Sequence, residues 1–399
     1  MRTVDQDGRA RAFPVGHGAT VAELESDPHP LLHRLREREP VSWLPALDGW
    51  LVTRRDLALA VMRDAETYTV DDPRFSTAQV VGPSMLSLDG GEHARHRDPF
   101  ARPFRLEAVR ERFTAVVEAE VERLIEAMEP RGEGDLRADM AGPLSVSVMV
   151  HALGLEDTEP RVALGWYAAI VGAVTDITAG RDPGPAGGHA FDELCASIEP
   201  ALDRERGSLV AAAAGEAGAL TRAEVRSNAG VLLFGGIETT EAMIASAFLH
   251  VLSDGEQRAL VESDRALLGN AVEESLRLEP AAAVVDRYAT RDVRLGGAEI
   301  ARGDLVRVSI AGANRDPEVF PDPDRFDVRR ENARLHVAFA HGPHVCLGMH
   351  LARLEAQVAL RRTLERLHRI RLDPARTSTT GGLVFRKPDA VHVLWEARR

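Results

Sequence analysis

The sequence predicts a mainly α-helical protein with a small β region. Three observations lead there. Apolar residues recur at helical spacing from Arg105 to Met128, and a stretch from Thr221 to Asp254 continues without a helix-breaking proline. Residues 283–311 break that pattern with a run rich in β-branched side chains, which reads as strands. The chain has 399 residues, 44% of them hydrophobic, ample for a large buried core. We expect one domain over 1–399, with its β-rich parts near 41–54, 283–311 and 380–396.

The elements come in this order. DPHPLLHRLREREP is a short amphipathic helix that starts after Asp27 and is stopped by Pro40. VSWLPALDGWLVTR is a hairpin around a Pro-Ala-Leu-Asp-Gly turn, and RRDLALAVMRDAETY is helical. The stretch TVDDPRFSTAQVVGPSMLSLDGGE holds Pro and Gly and no clear period. A loop of that length in a compact protein is typically a lid or binding loop. After the 105–128 helix, the nearly all-apolar LSVSVMVHALGL is a buried helix, and 179–190 is a flexible connector. Thr221 is the N-cap of the long central helix, and Glu224 completes a capping box. DRALLGNAVEESLRLEP is a helix ended by Pro280. Beyond the strands come an irregular segment, a cysteine-bearing loop and the helix LGMHLARLEAQVALRRTLERL. GGLVFRKPDAVHVLW reads as a closing hairpin.

The formal charge of −13 argues against a general nucleic-acid binder. No stretch reads as a membrane span of roughly 20 apolar residues, and the N-terminus has no apolar signal core. The expectation is a soluble cytoplasmic protein. Two cysteines do not make a disulfide framework. Cys195, in the helix-like FDELCASIEP, reads as a small filler.

Cys346 stands apart. Its loop, FAHGPHVCLGMH, is rich in His and Gly, and it opens a helix whose free N–H groups and positive dipole end favour a thiolate. Gly342 permits a turn with positive φ. Gly348 lets something flat approach, and Phe339 can wall the sulfur from water. Three roles compete: an inert core cysteine, a zinc ligand with His341, His344 or His350, or an axial ligand to haem iron.

The pattern Phe339-x-x-Gly342-x-x-x-Cys346-x-Gly348 resembles the haem-binding signature of the cytochromes P450. Ala340 departs from it, since the family usually has Ser, Gly, Asn or His there; Ala is also small, so little consequence is expected. Further motifs appear in family order. Glu274-Ser-Leu-Arg277 is similar to the family's E-x-x-R, which implies a buried ion pair supporting the cysteine loop, with Arg325 as third partner. GEHARHRDPFARPF resembles the family's H-x-x-x-R, which implies that His93 and Arg97, with Arg287 and His344, bind the haem propionates. GGIETT is similar to the family's (A/G)-G-x-(D/E)-T. That implies that Thr239 hydrogen-bonds dioxygen or an ordered water, that Glu238 relays protons, and that Thr240 shares the work; Glu241 is solvated or paired.

The resemblance therefore implies a cytochrome P450 fold, with a long central helix over haem b (iron protoporphyrin IX) and the cysteine loop and its helix beneath. It implies a haem-thiolate monooxygenase, of a kind common in secondary metabolism, inserting one atom of O2 into a hydrophobic small molecule. Hydroxylation, epoxidation and oxidative dealkylation all fit; oxidative coupling or desaturation on the same fold is the alternative. A zinc or Cys–His hydrolase site at 336–350 is a distant one, because it leaves the other motifs unexplained. The chain holds no flavin or iron–sulfur segment, so electrons are expected from a ferredoxin and ferredoxin reductase. Arg95, Arg102, Arg105, Arg110, Arg112, Arg353, Arg361 and Arg362 could form the docking patch. By family position, the substrate pocket is expected to draw on Val81, Met85, Leu86, Phe234, Gly235, Val284, Val285, Leu383 and Phe385. Arg74 could bind a carboxylate.

Overall fold

The computed structural model describes residues 6–178, 181–203, 208–215 and 220–397. Of the connector expected at 179–190, residues 179 and 180 lie outside the described residues. The rest of it is a brief loop that gives way to the helix Ala186–Leu202 sooner than expected. The chain divides into two compact units: Met1–Thr69 with Ala245–Cys346 and Pro374–Val391, and Val70–Ile244 with Leu347–Asp373 and His392–Arg399.

The first unit is built on a five-stranded sheet. Its spatial order is Val41–Leu44, Gly49–Val52, Leu305–Ser309, Val284–Ala289, Tyr68–Thr69. The first two strands form the expected hairpin, in a register that places Trp43 opposite Trp50. Asp48 turns the chain at φ 45°, a left-handed conformation that Asp tolerates better than most residues. Only the pair Gly49–Val52 and Leu305–Ser309 runs parallel. Strand alternation gives the sheet two apolar faces. Trp50, Val52, Val306 and Val308 pack with Val61 and Met62 of the helix Arg55–Arg63. Leu44, Leu51 and Val284 pack with Leu31, Leu32 and Leu35 of the helix His29–Arg38.

The helix Leu268–Leu278 carries the central polar knot of this unit. Glu274 and Arg277 are both fully buried. Arg277 donates to the Glu274 carboxylate at 2.7 and 2.9 Å and to the carbonyls of Asn314, Pro323 and Arg325 at 2.7–3.1 Å. The second cation on Glu274, and so the third member of the cluster, is Arg330, at 2.8 Å, and not Arg325. Arg325 contributes its main-chain oxygen to both Arg277 and Arg330, while its side chain is exposed. A turn causes this: Asp322 sits at φ 47° and Arg325 N–H donates to the Asp322 carbonyl, which aims the carbonyls inward and the Arg325 side chain out.

In the second unit the long helix Leu106–Met128 packs along Met349–Arg366, the helix that follows the cysteine. Gly142–Leu153 is the expected buried helix. Two expectations need correction. The 69–92 segment is not all loop: Ser76–Val81 is helical, a stretch too short for periodicity to reveal. The C-terminal hairpin is only partly one. Thr380–Gly381 pairs with Lys387–Pro388, but His392–Leu394 enters a separate sheet between Glu133–Asp135 and Arg371–Leu372.

The central helix spans Arg222–Ser253. Its capping box is present: Thr221 N–H donates to Glu224 at 2.7 Å and Glu224 N–H to Thr221 Oγ1 at 3.3 Å. Contrary to the reading that no stretch suffices, this helix is long and apolar enough to cross a membrane. Yet 83% of its most apolar window is buried in protein, the pattern of a core helix.

Removing Arg330 should leave Glu274 short of a buried partner. Arg330→Met is expected to cost about 3 kcal/mol of stability, whereas Arg325→Ala should change it by less than about 0.5 kcal/mol. Urea unfolding of both variants checks this; equal losses would contradict the assignment of Arg330.

Candidate active site

In the first unit the cysteine loop is fixed at both ends by backbone bonds. Val337 N–H donates to Asn314 Oδ1 at 2.7 Å, and Cys346 N–H donates to the Phe339 carbonyl at 2.8 Å. Between them Gly342 sits at φ 75°. A Cβ there would lie 2.4 Å from the Met62 carbonyl oxygen, so both backbone angle and space require glycine. Ala340 also has a left-handed φ, 58°. Its smallness is therefore not the whole matter, since an L-residue there costs roughly 1 kcal/mol that glycine would not. The loop ends with the Cys346 thiol exposed, as is His344 in part.

His336, just before the loop, is buried against buried Glu273, 3.1 Å from Nε2. Ala338 N–H donates to its Nδ1, so Nδ1 accepts and Nε2 carries the hydrogen toward Glu273. Its ring lies 5.9 Å from that of Phe339. Among the described residues no group of three or more His, Cys, Asp or Glu gathers to hold a metal ion, so the zinc reading finds no ligand set. The donors fit haem instead. Cys346 is exposed on a braced loop, and Arg287 (buried, on the strand Val284–Ala289) and His344 are donors suited to carboxylates. A Cβ on Gly348 would meet no atom within 4 Å, leaving room for a flat group.

In the second unit the glycine pair of the central helix divides its work. A Cβ on Gly236 would strike Met149 of the helix Gly142–Leu153 at 2.3 Å, so Gly236 serves helix packing. A Cβ on Gly235 would meet nothing within 4 Å. Thr239, half-buried, donates its hydroxyl to the Gly235 carbonyl at 2.6 Å. Glu238 and Thr240 are buried. Glu241 is also buried and pairs with Arg137 at 2.8 Å. On the helix Gly90–Ala101, His93 is buried and Arg97 half-buried. Val81, Met85 and Phe234 are buried and Leu86 half-buried.

In the first unit Val284 and Leu383 pack with Leu31 and Leu35, while Val285 lies on the sheet's other face. Alternation along the strand separates the two valines. Phe385, half-buried, is bridged to Ala282. Arg74 is held by Asp72 at 2.8 Å.

The expected basic patch is neutralised in part. Arg95 is bound by Glu92 and Glu224, both of which hold its pKa above the ordinary arginine value. Arg361 pairs with Glu118, and Arg362 with Glu122 and Glu365. Arg112 lies over the Phe113 ring, and burial lowers its pKa.

A cytochrome P450 family profile matches residues 202–380. The monooxygenase PikC of Streptomyces venezuelae is 34% identical over 393 residues, covering 94% of this chain and 92% of that one. Mycinamicin IV hydroxylase/epoxidase of Micromonospora griseorubida is 33% identical, covering 96% and 98%. The crystal structure of CalO2 matches with a TM-score of 0.85 at 28% identity, over 93% of this chain and 96% of that one. The chain belongs to the cytochrome P450 family. It has the P450 fold and is a haem b-dependent monooxygenase.

Gly342→Ala should cost roughly 3 kcal/mol or more, through strain and the clash with Met62, and should lower the haem content of purified protein. Gly297→Ala provides the control: φ is 88° there, but the space is open. It should cost only about 1 kcal/mol and leave haem content unchanged, as absorbance and urea unfolding will show.

Proposed function

We propose that this P450 hydroxylates or epoxidises a hydrophobic molecule of small to medium size, with Cys346 as the thiolate that would ligate the haem iron and Thr239 and Glu238 as its proton-handling pair. The observation that carries the reading is the exposed Cys346 on a loop braced by Gly342 and the Phe339–Cys346 backbone bond. Haem, when bound, would supply the oxidation chemistry, the reductive activation of O2 for transfer of one oxygen atom.

The protein's part is ligation, orientation and protons. His93, Arg97, Arg287 and His344 neutralise the propionates. With haem bound, Phe339 would help to shield the sulfur from water. The Thr239 hydroxyl hydrogen is committed to the Gly235 carbonyl. Its oxygen lone pairs therefore accept, and Thr239 holds an incoming proton donor, such as a water, in place. Glu238, buried next to it, takes protons from solvent and passes them on, and Thr240 assists. Met85, Leu86, Val81, Phe234, Val284, Val285, Leu383 and Phe385 are the apolar side chains available to substrate; Gly235 leaves room beside the helix. Electrons come from a ferredoxin served by its reductase, in the cytoplasm. Arg102, Arg105 and Arg110 lie outside the ion pairs of the neutralised arginines and are exposed around Leu106, itself 42% exposed. They form the docking patch for that acidic partner.

Reduced protein exposed to carbon monoxide should show the strongly red-shifted Soret band of a thiolate complex, and Cys346→Ser should lose it. Retention of that band in the serine variant would remove Cys346 as the ligand. Thr239→Ala should keep the band but release more hydrogen peroxide per electron pair consumed. Unchanged coupling would shift proton handling away from Thr239.

A further inference from the structure

The loop that bears Met85 and Leu86 is fastened to the central helix by one buried amide. Asn228 has no exposed surface, and His96, on the facing helix Gly90–Ala101, has almost none. Met85 N–H donates to Asn228 Oδ1 at 2.8 Å. Asn228 Nδ2 reaches the Glu224 carbonyl at 2.8 Å and His96 Nδ1 at 3.0 Å. Neighbouring contacts seat the same loop: Val81 faces Gly230, and Gly82, at φ 81°, abuts Ser227.

Donor and acceptor roles in this chain of bonds are set by its first member. A backbone N–H only donates, so Asn228 must present its oxygen to Met85 and its NH2 to His96. His96 Nδ1 must then accept, which places the ring hydrogen on Nε2. Nε2 faces the Glu224 carboxylate at 3.4 Å. Arg95 Nη2 also lies 3.3 Å from Nε2 but cannot donate there; it donates to Glu224 instead, at 2.5 Å. The charged groups around His96 are thus Glu224 from the central helix, and Arg95 with its partner Glu92 from its own helix, which also carries His93 and Arg97. The helix Leu209–Gly215, which packs against that helix, brings no ionisable side chain.

Asn228 precedes Gly235 by two helical turns and Gly235 precedes Thr239 by one more, so all three lie on one stripe of the helix. We propose that Asn228 and His96 are positioning residues for the substrate-side loop, and that a second proton on His96 releases it. Protonated His96 would set N–H against N–H at Asn228. Turning the amide over would only move the same clash to Met85. That the held loop faces substrate rests on the proposed function; the latch itself does not.

The test is amide hydrogen exchange of residues 82–89 in the haem-loaded protein across pH, corrected for intrinsic exchange. Titration with phenylimidazole, a ligand of the haem iron, accompanies it. In the wild type, protection of 82–89 should fall several-fold more than in flanking segments as pH is lowered. Asn228→Leu should exchange several-fold faster at every pH and bind phenylimidazole more weakly. Asn228→Asp offers an oxygen to both neighbours, so it should keep or gain protection as His96 takes up its proton. Wild-type exchange in Asn228→Leu, or the same pH trend in Asn228→Asp as in wild type, would overturn the latch. Unfolding midpoints and the carbon monoxide spectrum keep the results separable: a missing thiolate band in the wild type would sink the proposed function and leave the exchange result to judge the latch.

Discussion

The constraint on which the first unit depends is the charge cluster of Glu274, Arg277 and Arg330. Burying one carboxylate and two guanidiniums is costly unless every donor and lone pair finds a partner. Here the requirement is met by main-chain carbonyls of Asn314, Pro321, Asp322, Pro323 and Arg325. Those carbonyls belong to the irregular segment that leads into the cysteine loop. The cluster therefore organises a stretch with little regular structure of its own. Asn314 links the two, since its carbonyl serves Arg277 and its side chain receives Val337 N–H at the loop's entrance.

The second unit meets a different demand, because its central helix must be both rigid and locally open. Gly235 and Gly236 weaken it by roughly 1 kcal/mol each relative to alanine. Gly236 recovers part of that by letting Met149 pack against bare backbone. Gly235 has no such contact. The Thr239 hydroxyl bond to its carbonyl draws on the backbone acceptor at that turn, a pattern that tends to bend helices. The cost of an open turn is concentrated at the residues proposed to handle protons.

What the sequence disclosed, and what it hid, depends on range. Glu274 and Arg277 were legible because three residues on a helix make neighbours. Helices of many turns were legible by period, and the Trp43–Trp50 hairpin by its turn residues. Arg330 was not, because its reach back to Glu274 depends on how an irregular segment turns at Asp322; Arg325 looked equally suitable. Asn228 and His96 are 132 positions apart, and nothing local marks either. An asparagine in an apolar helical run was the one available signal. The strain at Ala340 was hidden because composition does not report φ. The proximity of arginines in sequence also overstated the basic patch, since Glu118, Glu122 and Glu224 come from distant helices.

Two buried histidines show how similar chemistry can be built to hold or to yield. Each accepts a hydrogen bond at Nδ1 and directs Nε2 toward a glutamate. At His336 the donor is a backbone N–H in the braced cysteine loop, and Glu273 is fully buried. A second proton there would oppose a main-chain group that cannot rotate away. At His96 the donor is a side-chain amide, and Glu224 is partly exposed and shared with Arg95. A side-chain amide has torsions of its own to turn about, and the carboxylate is partly exposed. The same proton would therefore strain the core at His336 but at His96 only unfasten a loop. Rigidity is thus placed at the loop proposed to hold the iron ligand, and adjustability at the loop proposed to face substrate.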